Sequence, residues 1–348
     1  MTVSPAEQAA MRRALALAAS PGVPHGPNPR IGCVLLAPDG SEVAEGFHRG
    51  SGTPHAEVDA LAAAGDEARG ATAVVTLEPC HHTSPRSGPC TEALLAAGVR
   101  RVVFAQADTN PVARGGGEAL AAVGVEVEGG VLADEARALN RAWTFAVEHG
   151  RPFVTWKFAT TLDGRSAAAD GSSRWVSSPA ARRDSHRLRA ECDVMLVGTG
   201  TVAIDDPALT VRDEVDLPVV RQPLRVVMGE RELPATKRVF DDVAETLHLR
   251  TRDPHEALAT LFERDRQHVF LEGGPTLAAA FLAAGLVDEV VAYVAPMLLG
   301  AGRSAVGDLG LTTIAEALHL HVDDVHVLQG HGEDTNVRLT LRPSTKGH

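Results

Sequence analysis

The hydrophobic positions of this chain change period repeatedly, and those changes mark out its elements. Between residues 7 and 19 apolar side chains recur three and four apart with no internal Gly or Pro, the spacing of one face of an α-helix. Residues 20–29 then collect four prolines and two glycines and are read as loop. Short apolar runs at 31–36 and 43–47, with the turn Asp39-Gly40 between them, predict a β-hairpin. Pro54 suits the start of a helix over 55–64, and Gly65 suits its end. The pattern continues as strand 72–77, helix 91–97, strand 99–105, helix 117–123, strand 125–129 and one long helix over 132–147. A hairpin followed by alternating helices and strands predicts helices layered on a mixed sheet.

His149-Gly150-Arg151-Pro152 interrupts that last helix, which divides the chain into domains 1–148 and 149–348. Past the break the alternation restarts. Strands are expected at 153–159, 194–197, 224–228, 246–250, 268–271, 289–294 and 337–341, and helices at 179–190, 254–264 and 275–284. Asp163-Gly164 is a turn, and residues 209–223 read as a surface excursion. The second half is therefore a second α/β sheet domain.

A chain of 348 residues has room for two such domains, and 44% hydrophobic residues with only 4% aromatics give Ala/Val/Leu-rich cores. The formal charge of −12 opposes a nucleic-acid-coating role, because that affinity comes from cations on phosphates. No apolar run is as long as a membrane span, and residues 1–20 form an amphipathic segment carrying Glu7, Arg12 and Arg13 rather than a signal sequence. A cytoplasmic location is expected, with a small-molecule substrate, no nucleic-acid or membrane partner, and a homo-oligomeric state. The four cysteines, Cys33, Cys80, Cys90 and Cys192, make no disulfide framework at this size; near histidines in a reducing compartment they read as ligands.

The chemistry concentrates between His55 and Cys90. Hydrolytic zinc keeps three protein ligands and leaves a fourth position for water, and His55, Cys80 and Cys90 supply three. Each stands at or next to an expected helix start, where the dipole favours thiolate. Glu57 lies about 200° around the helix from His55, a poor co-ligand but well placed as general acid and base. His-x-Glu followed by Pro-Cys is the signature of zinc nucleobase deaminases, although here nine residues separate the cysteines where the general motif has two. That long loop, bearing His81, His82 and Arg86, points to a substrate with an anionic group of its own.

The phrases Pro27-Asn28-Pro29, Gly46-Phe47-His48, His55-Ala56-Glu57-Val58 and Thr76-Leu77-Glu78-Pro79-Cys80, together with the long loop, resemble the bifunctional deaminase-reductase family of riboflavin biosynthesis. The resemblance implies a cytidine-deaminase-like, three-layer α/β/α amino-terminal domain that removes an amine from a diaminopyrimidinone ribosylamine 5′-phosphate. It makes His55, Cys80 and Cys90 the Zn2+ ligands and Glu57 the proton shuttle, with Asn28, His48, His82 and Arg86 as substrate contacts. The loop is one residue longer than the usual family form, and His81 stands beside His82 as an alternative. By themselves, Asn28 is also an ordinary turn residue, His48 a strand-end histidine and Arg86 a solvated loop charge.

In the second half, Glu272-Gly273-Gly274-Pro275-Thr276 and Val197-Gly198-Thr199-Gly200-Thr201 each follow a strand, where glycines let a backbone approach a phosphate. Either phrase alone also reads as a structural turn. The resemblance continues through Lys157, Leu162-Asp163-Gly164, Ser173-Arg174-Trp175, Arg187-Leu188-Arg189 and the run from Ala203 to Thr210. It implies a dihydrofolate-reductase-like α/β domain that uses NADPH to convert the ribosyl group to ribityl. Lys157, Asp205 and Glu272 would surround the reacting sugar carbon. Ser173, Arg189, Leu209, Arg212 and Glu272 would contact substrate, while Ala159, Trp175, Thr201, Asp205 and Gly274 would face the cofactor. Two other readings fit parts of the pattern. One is a tRNA-editing or nucleobase deaminase with an accessory domain, which the cysteine spacing and acidic charge oppose; the other is a non-catalytic zinc-structured binding protein with His82 as fourth ligand.

Overall fold

The computed structural model describes residues 2–82, 88–330 and 335–344. The chain divides into two compact units, Met1–Gly150 and Arg151–His348. The first contains helices α1 (Pro5–Ala18), α2 (Ala56–Ala64), α3 (Cys90–Ala96), α4 (Gly116–Ala122), α5 (Ala133–Leu139) and α6 (Arg141–His149). Its strands are β1 (Gly32–Leu36), β2 (Glu42–Phe47), β3 (Thr72–Leu77), β4 (Arg101–Gln106) and β5 (Glu126–Gly129).

These strands form one sheet in the order β2-β1-β3-β4-β5, with β1 antiparallel to both neighbours and β3, β4 and β5 parallel. The period-two alternation of side chains builds three layers. Cys33, Leu35, Ala73, Val75 and Val102 pack on one face against Ala56 and Ala60 of α2, Leu94 of α3 and Leu120 of α4. Val34, Leu36, Val74 and Val103 pack on the other face against Met11, Ala14 and Leu17 of α1 and Ala136 of α5. Contact between α2 and the sheet is close enough to need glycine: a Cβ at Gly46 would sit 2.4 Å from Ala60 N and 2.6 Å from Ala56 O. Any side chain there would push α2, and with it His55 and Glu57, off the sheet.

The single helix expected over 132–147 is two helices. Asn140 leaves helical geometry at φ −110° and ψ 22°, and its side chain does other work. Its carboxamide accepts the Arg30 N–H at 2.8 Å and donates to the Arg30 carbonyl at 2.9 Å, both bonds buried. Apolar periodicity runs through the break, so only the tertiary bond reveals it.

The second unit has an eight-stranded sheet in the order β10-β9-β8-β11-β6-β12-β15-β14. Its strands are β6 (Phe153–Thr161), β8 (Val194–Gly198), β9 (Leu224–Met228), β10 (Thr246–Leu249), β11 (His268–Leu271), β12 (Glu289–Ala295), β14 (Leu320–Leu328) and β15 (Asn336–Pro343). Two short strands, β7 (Arg165–Ala167) and β13 (Arg303–Ser304), pair separately. The sheet is parallel from β10 to β12 and turns antiparallel at β15 and β14. Helices α9 (Pro254–Phe262) and α10 (Pro275–Ala283) cover one face, and α7 (Pro179–Ala190) and α8 (Thr199–Asp205) the other.

Sequence patterning missed β14, because every residue before Leu328 is exposed and no face is buried to create an apolar stripe. It also missed α8, whose Gly-Thr-Gly opening reads as a turn. Residues 209–223 are not wholly a surface excursion: Leu209, Thr210 and Val211 are buried. Among the described residues no helix is long and apolar enough to cross a membrane.

Asn140→Ala leaves the buried Arg30 N–H and C=O without their partner, at about 2–4 kcal/mol for the two groups. Thermal or urea unfolding should show the amino-terminal transition shifted down by that amount, with the carboxy-terminal transition unmoved. A change below about 0.5 kcal/mol would mean that water replaces the carboxamide without loss.

Candidate active sites

In the first unit the end of β3 and the starts of two helices converge. His55 is the N-cap residue of α2, Cys90 opens α3, and Cys80 follows β3 by three residues. Cys80 is therefore not at a helix start itself, contrary to expectation; its Sγ instead accepts the backbone N–H of Cys90 at 3.3 Å, the first donor of α3. The His55 Nδ1 lies 3.2 Å from Cys90 Sγ and 3.5 Å from Cys80 Sγ. All three donor atoms fall within 4.8 Å of one another. Tetrahedral zinc, with bonds of about 2.0–2.3 Å, places nitrogen and sulfur donors about 3.5 Å apart, so the residues present fit that ion. His82 is outside this group, so among the described residues three protein donors meet, the number found in open catalytic sites.

Electrostatics agree with a cation-seeking site. The hydrogen bond from Cys90 holds the Cys80 thiol well below its ordinary range, and the same bond pushes Cys90 up. Hydrogen bonding to Cys80 raises His55. Glu57 is 2% exposed, and burial, helped by the nearby Cys80 charge, pushes its carboxyl up to about 7. One Glu57 oxygen, Oε2, is buried without a hydrogen-bond partner in the structure.

Around this cluster stand most of the expected contact residues. The His48 Nδ1 meets the Pro54 carbonyl at 2.9 Å, which fixes the proton on Nδ1 and leaves Nε2 to accept from the Asn28 amide at 2.9 Å. Burial lowers the His48 pKa, so its ring is neutral. The His48 and His82 rings lie 5.5 and 6.2 Å from that of His55, both edge-on. His81 is turned away, with its backbone N–H on Ala113 and its ring 3.2 Å from Thr91 Oγ1. Arg86 lies outside the described residues.

One residue at this site escaped sequence reasoning. Asp108 is buried beyond the end of β4, and burial, with Glu78 and Cys80 adding negative charge, pushes it up to about 6. Glu78 holds the connection in place by accepting the N–H groups of Asp108 and Gly117. The signal lay in topology: β3 and β4 are parallel neighbours, so the residues after their carboxyl ends share one crevice.

In the second unit a cavity of about 780 Å³ is lined by Lys157, Ala159, Ser173, Trp175, Arg189, Asp205, Leu209, Arg212 and Glu272, among others. The sheet register explains its centre. Leu271 pairs with Trp156, so the next residues, Glu272 and Lys157, stand side by side. Arg189, from α7, grips Glu272 through two bonds of 2.7 and 2.6 Å. Burial alone would raise Glu272, but Arg189 and Lys157 outweigh it and hold the carboxylate at about 2. Burial pushes Lys157 down, partly offset by Glu272. Trp175 is exposed, with the Arg182 guanidinium 4.4 Å above its ring. Thr201 and Gly274 are not among the lining residues; they neighbour each other, a Cβ on Gly274 falling 3.7 Å from Thr201 Oγ1. Tyr293, not singled out from the sequence, also lines the cavity and donates to Asp184 at 2.8 Å.

Comparison with known proteins finds relatives of both units. The cytidine and deoxycytidylate deaminase zinc-binding region matches residues 4–106, and the RibD C-terminal domain matches residues 152–333. Riboflavin biosynthesis protein RibD of Mycobacterium tuberculosis (strain H37Rv) is 50% identical over 317 residues, covering 91% of this chain and 92% of that protein. The Escherichia coli K12 protein of the same name is 40% identical, covering 88% and 92%. Among solved structures, Acinetobacter baumannii RibD superposes with a TM-score of 0.88 at 38% identity over 97% of this chain and 99% of that one. A deaminase/reductase from Thermotoga maritima superposes with a TM-score of 0.86 at 32% identity, covering 97% and 99%. The chain belongs to the RibD family, the bifunctional zinc-dependent deaminases and NADPH-dependent reductases of riboflavin biosynthesis.

Proposed function

We propose that the amino-terminal site deaminates a diaminopyrimidinone ribosylamine 5′-phosphate and that the carboxy-terminal cavity then reduces its ribosyl group to ribityl. The observation that carries this reading is the pairing, in one chain, of a three-donor metal cluster beside buried Glu57 with a cavity centred on Lys157, Glu272 and Arg189. His55, Cys80 and Cys90 would hold zinc, which would supply the Lewis acidity that activates water for attack. Glu57 takes a proton from the attacking water and returns it to the departing amine, so that ammonia leaves and the ring carbon keeps the oxygen. Its burial suits a group that must both accept and give a proton near neutral pH. With its amide nitrogen committed to His48, Asn28 presents its carbonyl oxygen to a donor on the pyrimidine. His48, His82 and Arg86 complete the contacts.

In the second site the cavity would hold NADPH, which would supply the hydride for reduction at sugar carbon C1′. Opening the ribosyl ring needs a proton on the ring oxygen, and Lys157, its ammonium form weakened by burial, is the acid beside that carbon. Glu272 fixes Lys157 and Arg189, while Asp205 meets both the cofactor and the sugar. Ser173, Leu209 and Arg212 hold the substrate; Ala159, Trp175, Thr201 and Gly274 face the cofactor. We place the enzyme in the cytoplasm, where thiols stay reduced. A homo-oligomer is also proposed, supported by edge strand β14, which exposes Leu320, Val322, Val325 and Val327.

Glu57→Gln should keep its zinc, measured by metal analysis, while ammonia release falls by about a hundred- to ten-thousand-fold. Full deamination by that variant would remove Glu57 from the mechanism. Chelation of the metal should abolish ammonia release yet leave NADPH oxidation on the deaminated intermediate intact.

Glu272→Gln strips the partner from a largely buried guanidinium, side-chain exposures being 17% for Arg189 and 11% for Glu272. Stability of the carboxy-terminal unit should drop by about 3–5 kcal/mol, and NADPH oxidation should vanish with ammonia release retained. Asp205→Asn should slow NADPH oxidation by about tenfold or more, the value of one charge-assisted contact; a normal rate would cancel its assignment.

A further inference from the structure

Helix α7 turns one stripe of side chains towards the reductase cavity: Arg182, Ser185, His186 and Arg189, spaced three and four apart, all line it. The two arginines already have partners. Arg182 donates to the Ser177 carbonyl at 2.7 Å, and Arg189 is held by Glu272. Two polar atoms between them do not. Ser185 is 4% exposed and its Oγ has no hydrogen-bond partner, nor does the buried Nδ1 of His186. Helical serines normally settle this by bonding to the carbonyl one turn back, which Ser185 does not do. Two buried polar atoms left unpaired on consecutive residues that line a ligand cavity mark groups whose partner arrives with the ligand.

We propose that Ser185 and His186 are substrate-holding residues of the reductase cavity that, with Arg212, bind the phosphate carried by the substrate. The inference rests on the reductase reading given above and adds two residues to it. Charge decides in favour of phosphate over a sugar hydroxyl. The groups facing His186 are Arg189 on its own helix, Glu272 after β11, and Arg212 and Asp216 on the segment following α8. Arg189 and Glu272 cancel each other at contact distance. Arg212 meets Asp216 at only 3.2 Å, and that carboxylate is 80% exposed, so solvent screens it and the guanidinium charge persists in the cavity. Burial, then Arg189 and Arg212, push His186 down to about 4, leaving a neutral imidazole at physiological pH. A bound dianion offsets those positive charges and draws the ring towards its protonated, two-donor form. Ser185 Oγ–H, the His186 Nδ1–H and the Arg212 guanidinium then donate to phosphate oxygens.

The test uses full-length, zinc-loaded protein and inorganic phosphate as the probe. Calorimetric titration of the unmodified enzyme, Ser185→Ala, His186→Ala and His186→Gln should give a Kd about tenfold weaker for each alanine variant, the value of one hydrogen bond to a charged group. His186→Gln, which keeps an N–H donor, should recover part of the loss. Proton uptake, read from binding enthalpies in two buffers of different ionisation heat, should accompany phosphate binding to the unmodified protein and to Ser185→Ala and disappear in both His186 variants. With the deaminated substrate, KM should rise by a similar factor in the alanine variants at unchanged kcat. Phosphate binding that is equally tight in all four proteins, or absent from the unmodified one, overturns the inference. Failure of the unmodified enzyme to oxidise NADPH would instead overturn the reductase reading, and the phosphate titration is read independently of it.

Discussion

A metal site assembled from the ends of separate segments tolerates little slack, because a displacement of half an ångström in any donor takes it out of bonding range. Here His55, Cys80 and Cys90 come from a helix cap, a loop after a strand and a helix start. Their convergence depends on how closely α2 and α3 lie on the sheet. Gly46 lets α2 come within backbone contact of β2. The Cys90 N–H, by donating to Cys80 Sγ, ties the register of α3 to the end of β3. The sheet thus works as a jig: the parallel strands bring β3 and β4 to the same edge, and the chemistry is mounted there.

The second unit solves a similar problem with charge rather than metal. Glu272, Arg189 and Lys157 are brought together from the residue after β11, from α7 and from β6. A buried carboxylate between two cations is costly to assemble and costly to break, so the arrangement fixes geometry more than it adds stability. Arg189 binds Glu272 through the Nε–Nη2 edge of its guanidinium, which sets the rotation of α7 about its axis and so decides which of its side chains reach the cavity.

Much of this was legible in residue order. The strand at 72–77, the helix at 179–190 and the strands at 224–228 and 268–271 lie where patterning places them, because each is buried on both faces or carries a clear helical stripe. His55, Cys80, Cys90 and Glu57 were legible for a different reason: their residue types are those of zinc chemistry, and the phrases around them resemble a known family. What stayed hidden depends on tertiary neighbours. Asp108 acquires its environment from a strand pairing, and β14 from its pairing with β15 rather than from a buried face. The roles of Ser185 and His186 show only as unpaired atoms, which no periodicity records.

In chain order the clustered donors of the amino-terminal unit and the buried Glu57 are complete by Cys90, yet the loop that carries Asn28 is fastened by Asn140, 110 residues away from Arg30. The last two helices of that unit are therefore not a spacer leading to the next domain. They close a ring whose first and last segments are bonded to each other. A separately expressed deaminase must keep α5 and α6 to stay a working module, and the smallest functional fragment is set by a carboxamide rather than by the reach of the metal motif.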